Sequence, residues 1–472
     1  MKSFLGPRLR RLREERGITQ VALANLLGVS SSYYNQLEND QRPVTSALRE
    51  KIGEALQVDV RYLSDEENER LTTDVRETLS ASRPEVSFRA PEIAEFVQRH
   101  PEIARTLVEL GERHRAAVDR SRAIQQENVD ASAALAEGTT LAPHEEVRDY
   151  FYERHNYIHS VDSFAERIAE TLALRPGEIV ASLEQRLRSV HGVEVVTSNG
   201  SEALEPHRRY EPGPRRLVLP LRLLPGQRAF QLATQLAFLE AGQVLDEALA
   251  EGRFSSPSAS ALARIGLANH FAGALLMPYA AFFEAAETLR YDVDRLRQQF
   301  RLGFETICHR LSTLQRPGKT GVPFFFLRVD RAGNISKRQS ASDFHFSKVG
   351  GTCPLWNVYE AFSQPGRILR QIAEMPDGRT YLWIARAATR SSGGFGAPDK
   401  IFSIALGCDV RHAHRLVYSN GLDLRDARAA TPIGMGCKVC ERKRCPQRAF
   451  PPLTRTLVVT EDQSAFEPYP FA

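Results

Sequence analysis

The stretch ITQVALANLLGVSSSYYNQLENDQRP, residues 18–43, sets the reading of the front of the chain. Val21, Leu23, Ala24 and Leu27 recur at helical spacing, and Tyr34 and Leu37 resume the pattern after a short break. Thr19 stands where an N-cap belongs, since its hydroxyl can accept from an otherwise free N–H of the first turn. Gly17 ends the preceding helix, which carries Leu9 and Leu12. Gly28 supplies a tight turn, and Ser30 caps the helix that follows. Residues 1–66 therefore predict an all-α bundle of short helices.

The net charge of +4 over 472 residues is modest, but its distribution is uneven. Lys2, Arg8, Arg10, Arg11, Arg13 and Arg16 crowd the first twenty positions against only Glu14 and Glu15. Such a local field attracts phosphates, and it also suits a solvated helix face. The Thr19-Gln20 start, the L-A-x-x-L-G-V-S middle and the Leu37-Glu38 to Arg42-Pro43 exit resemble the Xre, or phage-repressor, helix-turn-helix. The resemblance implies that the helix from about Ser31 enters the major groove of double-stranded DNA. Ser32, Tyr33, Asn35 and Gln36 would face outward, with Asn35 and Gln36 able to pair bidentately with adenine, and Gln20 and Arg42 would hold phosphates. A homodimer or higher homo-oligomer would suit palindromic operators with half-sites on the order of 34 Å apart.

A chain this long exceeds one hydrophobic core and predicts two to four domains. No apolar run reaches the ~20 residues of a membrane span, and the basic N-terminus lacks the apolar stretch of a secretory signal. The expectation is a cytoplasmic protein without a membrane partner. In that compartment six cysteines read as thiols or metal ligands rather than disulfides. Residues 67–145 read as a helical linker or dimerisation arm with a sparse apolar face of Leu107, Val108, Leu110 and Ile124.

Residues 146–290 read as mostly helical. The pair AFQLATQLAFLE and ANHFAGALLMP resembles the IrrE-like, M78-type metallopeptidase domain, a zincin-like fold. Active members carry H-E-x-x-H, two zinc ligands one turn apart around a glutamate base. At the matching positions stand Thr234, Gln235 and Phe238, and Ile265-Gly266-Leu267 offers no further carboxylate. Phenylalanine cannot ligate zinc and glutamine cannot take a proton from water, so the site is degenerate and the chain is expected not to be an enzyme. His270 reads as a packing or surface histidine.

Residues 291–472 change texture. One helix is expected over 290–315 with Cys308 on its apolar side, then a hairpin of VPFFFLRVD and ISKR around RAGN. GRTYLWIARAAT and KIFSIALGC read as strands, and WNVYEAFSQPGRILRQIA as a helix, giving an α/β, GAF- or PAS-like sensory module. Near the end, GCKVCERKRCPQRAFPP places Cys437, Cys440 and Cys445 as C-x2-C-x4-C. Three thiolates at this spacing can meet on one centre, with a fourth ligand from elsewhere: Cys408 first, Cys353 second. Lys438, Arg442, Lys443 and Arg444 would compensate the negative charge. The spacing admits either an iron–sulfur cluster or structural zinc.

GGTCPLWNVYEAF, IALGCDVRHAHRLVYS and the cysteine knot together resemble the C-terminal half of the short-chain fatty acyl transcriptional regulators. That resemblance, covering nearly the whole chain, implies a multidomain regulator of propionate or acetate use through methylcitrate or glyoxylate routes. It also implies an acyl-CoA or CoA effector and a [4Fe-4S] cluster. Arg208, Arg209, Arg215 and Arg216 are candidates for the phosphates of CoA. The rival readings are a redox- or iron-responsive transcription factor and a repressor-cleaving IrrE-like metallopeptidase; residues 234–238 speak against the second.

Overall fold

The computed structural model describes residues 6–56, 66–82, 88–114, 143–199, 206–341, 353–390 and 399–471, apart from a few isolated positions within them. The head consists of α1 (Gly6–Glu15), α2 (Gln20–Leu27), α3 (Ser31–Glu38) and α4 (Ser46–Leu56). Its core gathers Leu9, Leu12, Leu23, Ala24, Leu27, Tyr34 and Leu37, whose spacing predicted the bundle, together with Val44 and Ile52, whereas Val21 of the same pattern is exposed. Thr19 accepts from the Ala22 N–H and Ser30 from the Tyr33 N–H, each at 3.2 Å, and Gly28 adopts φ +68°, a conformation open to glycine at no steric cost. Behind it, α5 (Glu66–Ser82), α6 (Ala90–Arg99) and a helical run over 101–111 share a small core of Leu71, Val75, Ile93, Val97 and Ala104. Leu107 and Val108 pack against that cluster, so part of the arm's apolar face is used within the chain. Ile124 and the rest of 115–142 lie outside the described residues.

The middle comprises α7 (Pro143–Glu153), α8 (His159–Thr171), α9 (Ile179–His191), α10 (Pro225–Glu240), α11 (Gly242–Ala250), α12 (Pro257–Leu276) and α13 (Tyr279–Thr288). A three-stranded sheet, ordered β1 (Glu194–Ser198), β3 (Arg216–Pro220), β2 (Arg209–Glu211), flanks them. The helix expected over 290–315 is two, α14 (Val293–Phe300) and α15 (Phe304–Leu311). Arg301, left-handed at φ +53°, and Gly303, the N-cap of α15, break the run. No single described helix is long and apolar enough to cross a membrane; α12 and α13 together reach that length but are bent by 66° and belong to the core.

A small β4 (Gln315–Arg316) and β5 (Lys319–Thr320) hairpin leads into a six-stranded sheet. Its strands are β6 (Phe325–Val329), β7 (Ile335–Ser340), β8 (Leu369–Glu374), β9 (Thr380–Arg390), β10 (Lys400–Asp409) and β11 (Thr431–Pro432), ordered β11-β8-β9-β10-β6-β7. All pairings are antiparallel except β11 with β8. The expected hairpin and the β9 and β10 strands are present. The helix expected over WNVYEAFSQPGRILRQIA is not: α16 covers only Asn357–Glu360, a 3-10 turn follows, and Leu369–Glu374 is strand. Pro365 cannot donate to a helical ladder and Gly366 turns the chain at φ +82°.

Side chains alternate across the sheet. Leu382, Ile384, Phe402, Ile404 and Leu406 join the same core as the middle helices, whereas Phe325, Tyr381, Trp383 and Ala385 form a second core under Trp356 and Val358. The middle helices and the sheet therefore share one continuous apolar interior.

Candidate DNA-reading helix, cationic cleft and cysteine pocket

On α3, Ser32 and Asn35 are exposed, Tyr33 and Gln36 half-buried, and Tyr34 and Leu37 buried. Arg42 is exposed, with its guanidinium carbon 5.7 Å from the centre of the Tyr33 ring. Gln20, expected on a phosphate, is half-buried, and its amide donates to Glu38 Oε2 at 2.6 Å. Glu38, given no role in the sequence reading, is buried beneath the reading face and also takes Arg13 Nε at 2.5 Å. Burial pushes its carboxyl up, but the hydrogen bonds from Arg13 and Gln20 outweigh this and hold it below the ordinary range. The signal for this role was available: an acid adjacent to core Leu37, behind a helix rich in arginine.

In the degenerate metal position, Thr234 and Gln235 are buried on α10. Thr234 donates back to the Phe230 carbonyl at 2.8 Å, and Gln235 Oε1 accepts from Arg208. The Arg208 guanidinium carbon also lies 5.0 Å from the Phe238 ring centre, with Arg264 at 5.5 Å from the same ring. Arg208 thus meets two of the three positions, Gln235 and Phe238, while the Thr234 hydroxyl turns back onto its own helix. Burial lowers the Arg208 pKa. The four arginines considered for CoA phosphates have other partners: Arg208 turns onto Gln235, Arg209 pairs with Glu211, Arg215 donates to the His191 carbonyl, and Arg216 pairs with Glu194.

His270 is buried rather than on the surface, and its Nε2 stands 3.5 Å from Asp162 Oδ2. It lines a cleft of about 530 Å³ between α7 (His144, Arg148, Phe151), α12 (Asn269), α15 (His309) and the edge strand β7 (Lys337, Arg338). Gly266 permits this meeting of helices, because a Cβ there would come within 2.7 Å of the Phe151 ring. Lys337 is half-buried but its ammonium is enclosed, and burial lowers its pKa to about 8 against the opposing pull of Glu305. Burial likewise lowers Arg338 to about 10 and pushes His309 well below its ordinary value. The described lining holds Arg148, Lys337 and Arg338 with the carboxylate of Glu145, which pairs with Arg148 at 3.2 Å. Sequence alternation in ISKRQS gave a strand but could not show that it borders a cleft.

At the far end, Cys353, Cys437, Cys440 and Cys445 line one small pocket with Arg442 and Arg448. Cys353 and Cys440 are buried, Cys437 and Cys445 half-buried. Burial raises the Cys353 thiol, opposed by backbone N–H groups of Gly434 and Leu355. Gly434 leaves room for sulfur: a Cβ there would fall 2.6 Å from Cys440 Sγ. Buried Arg448 donates to the carbonyls of Cys440 and Arg442. Cys353, the second choice for fourth ligand, lines this pocket, whereas the first choice, Cys408, does not. Cys408 sits opposite Leu382 on β10, fully buried in the core shared with the helices, where burial and Asp409 raise its thiol pKa. Among the described residues, no three His, Cys, Asp or Glu are drawn together as ligands of a single ion.

A head of short capped helices with an exposed face on α3, followed by a mostly helical middle and a six-stranded sheet, defines a helix-turn-helix transcriptional regulator. Family models match in that order: a helix-turn-helix domain over 5–64, an IrrE N-terminal-like domain over 188–312, and the C-terminal domain of short-chain fatty acyl coenzyme A regulators over 313–469. The chain is 48% identical over 472 residues to the HTH-type transcriptional regulator RamB of Mycobacterium tuberculosis, covering 99% of this chain and 98% of that one. It is 47% identical to the HTH-type transcriptional regulator PrpR of the same organism, covering 99% and 96%. Against the propionyl-CoA carboxylase regulator of Cereibacter sphaeroides the identity is 40%, covering 99% and 98%. A solved Mycobacterium tuberculosis transcriptional regulator superposes with a TM-score of 0.67 at 50% identity, over 70% of this chain and 99% of that one. The chain belongs to the short-chain fatty acyl coenzyme A regulator family.

Proposed function

We propose that this chain is a DNA-binding regulator of short-chain fatty acid metabolism whose promoter affinity is set by a short-chain acyl-CoA or CoA. The observation that carries the reading is the 530 Å³ cleft, whose walls bring Lys337 and Arg338 of β7 together with His144 and Arg148 of α7. Phosphates and a thioester-linked chain suit such walls, which offer cations beside Phe151 and Val147. The cleft also joins α7, the helix that follows the connector, to the sheet edge, so a ligand favouring one spacing of the two would bias the head. A relative named as a propionyl-CoA carboxylase regulator supports the same metabolism. The sheet supports the GAF- or PAS-like reading: numbered from β6, its strands run 2-1-5-4-3, with β11 added at the edge.

The shared lining of one pocket by Cys353, Cys437, Cys440 and Cys445 supports a [4Fe-4S] cluster, which those four thiolates would hold. Four thiols, a glycine where a side chain would meet sulfur, and the positive charges of Arg442 and Arg448 suit an anionic centre. Structural zinc would use the same thiolates, and an absorption spectrum of anaerobically purified protein separates the two. Half-buried Cys437 and Cys445 favour, as a second reading, a redox- or iron-responsive regulator. Equal promoter affinity before and after air exposure would remove it. A homodimer or higher homo-oligomer would suit a palindromic operator, and sedimentation tests it.

Propionyl-CoA titrated into the full chain on promoter DNA tests the effector role. Binding is expected to change with ligand, and Lys337→Glu to weaken the response about tenfold, or 1.4 kcal/mol. Promoter affinity indifferent to every short acyl-CoA and to free CoA defeats the proposal.

A further inference from the structure

On the reading helix, the amide of Asn35 does not stand alone. Arg10, on α1, donates from Nη2 to Asn39 Oδ1 at 2.8 Å. Asn39, the C-cap of α3, donates from Nδ2 to the Asn35 backbone carbonyl at 2.9 Å and to Asn35 Oδ1 at 3.0 Å. Arginine has donors only, so the Asn39 atom that meets it must be oxygen and the other must be nitrogen. That nitrogen also lies 3.0 Å from the Asn35 side-chain amide, of which only Oδ1 can accept, so Oδ1 of Asn35 is held toward Asn39. The exposed Asn35 amide is therefore left with its Nδ2 free to face the groove. Arg10 is itself held from below, its Nε 3.7 Å from Glu38 Oε2.

We propose that Arg10 and Asn39 form a polarity relay that makes Asn35 a hydrogen-bond donor toward DNA, and so determine which base it selects. Asn35 then reads a carbonyl on the base edge, O6 of guanine or O4 of thymine, rather than the two-point pattern of adenine. Arg10 and Asn39 are positioning residues, acting through Asn35. The inference rests on the head's reading DNA. Wild-type protein that selects no motif overturns that reading, whereas a motif indifferent to the relay overturns only the inference.

The relay can be reversed. Asn39→Asp replaces the Nδ2 donor with an acceptor-only carboxylate, so Asn35 must turn its nitrogen to position 39 and its oxygen to the groove. At one geometric position this exchanges a carbonyl partner for an amino partner: guanine for adenine, or thymine for cytosine. Both exchanges are transitions, whichever strand is read. The full chain would select from a pool of random-sequence duplex DNA, with wild type, N39D, N39A and R10M compared. N39D is expected to change one position of each half-site by a transition, with a preference of about tenfold. N39A and R10M should relax that position alone and leave the rest of the motif intact. N39A adds no charge at the helix C-terminus, so it remains informative if N39D fails to fold. An identical motif from wild type and N39A, or a transversion in N39D, overturns the proposal.

Discussion

Asp162→Asn tests the buried charge that ties the cleft to the body. Asp162, on α8, is wholly buried and takes Arg310 in a forked contact, Nη1 to Oδ2 at 2.5 Å and Nη2 to Oδ1 at 3.4 Å. Arg316 adds a contact at 3.3 Å and His270 stands at 3.5 Å. Burial would raise this carboxyl, but Arg310 and His270 outweigh it and hold the group well below the usual carboxylate range. Asparagine keeps the shape and an acceptor but leaves Arg310, itself 2% exposed, a buried cation without a counter-ion. Removing one partner of such a pair costs about 3–5 kcal/mol. Arg310 retains Met277 O and Thr313 Oγ1, both at 3.1 Å, which argues for the lower end, about 3 kcal/mol. With a urea slope of about 3 kcal/mol/M, the midpoint should fall by about 1 M. Both tryptophans, Trp356 and Trp383, lie in the sheet cores, so their fluorescence reports the unfolding. Because the native carboxyl is depressed, wild type holds this stability above about pH 4 and loses it as the pH falls further. The gap between wild type and variant should therefore narrow from pH 7 to pH 3. Adding Arg310→Met to remove the orphaned charge should return most of the loss. A midpoint shift below about 0.3 M, or a gap that ignores pH, would refute the reasoning.

The cysteine assignment separates two variants: Cys353→Ser should abolish the visible absorption of anaerobically purified protein, while Cys408→Ser should keep it and cost about 1 kcal/mol of stability through core packing. The reverse pattern would restore Cys408 as ligand. Gly407→Ala would place a Cβ 2.5 Å from the Trp383 ring in the middle of β10. A destabilisation of about 1–3 kcal/mol and a changed near-ultraviolet circular dichroism signal are expected; an unperturbed tryptophan signal would show that the sheet yields at no cost.

What the sequence disclosed follows the range over which each signal acts. Thr19, Gly28 and Ser30 cap and turn within a few residues of themselves, so the head was readable residue by residue, and alternation exposed β6, β7, β9 and β10 directly. The strand β8 was hidden because ILRQIA also suits a helix; pairing with β9 decided between them, and that pairing lies outside any local window. Cys408 illustrates the same limit at the cysteine pocket. Its place at the end of a strand was read correctly, but a strand sends successive side chains to opposite faces, and nothing local says which face meets the helices. Cys408 turns to the face that packs on the helices, as Leu406 does, while Cys353 approaches Cys440 from the other side. The cleft was further out of reach: Arg148 and Lys337 are separated by almost two hundred positions, and each alone reads as an ordinary surface cation. Only the packing of α7 against β7, with Gly266 permitting Phe151 its close approach to α12, turns them into facing walls.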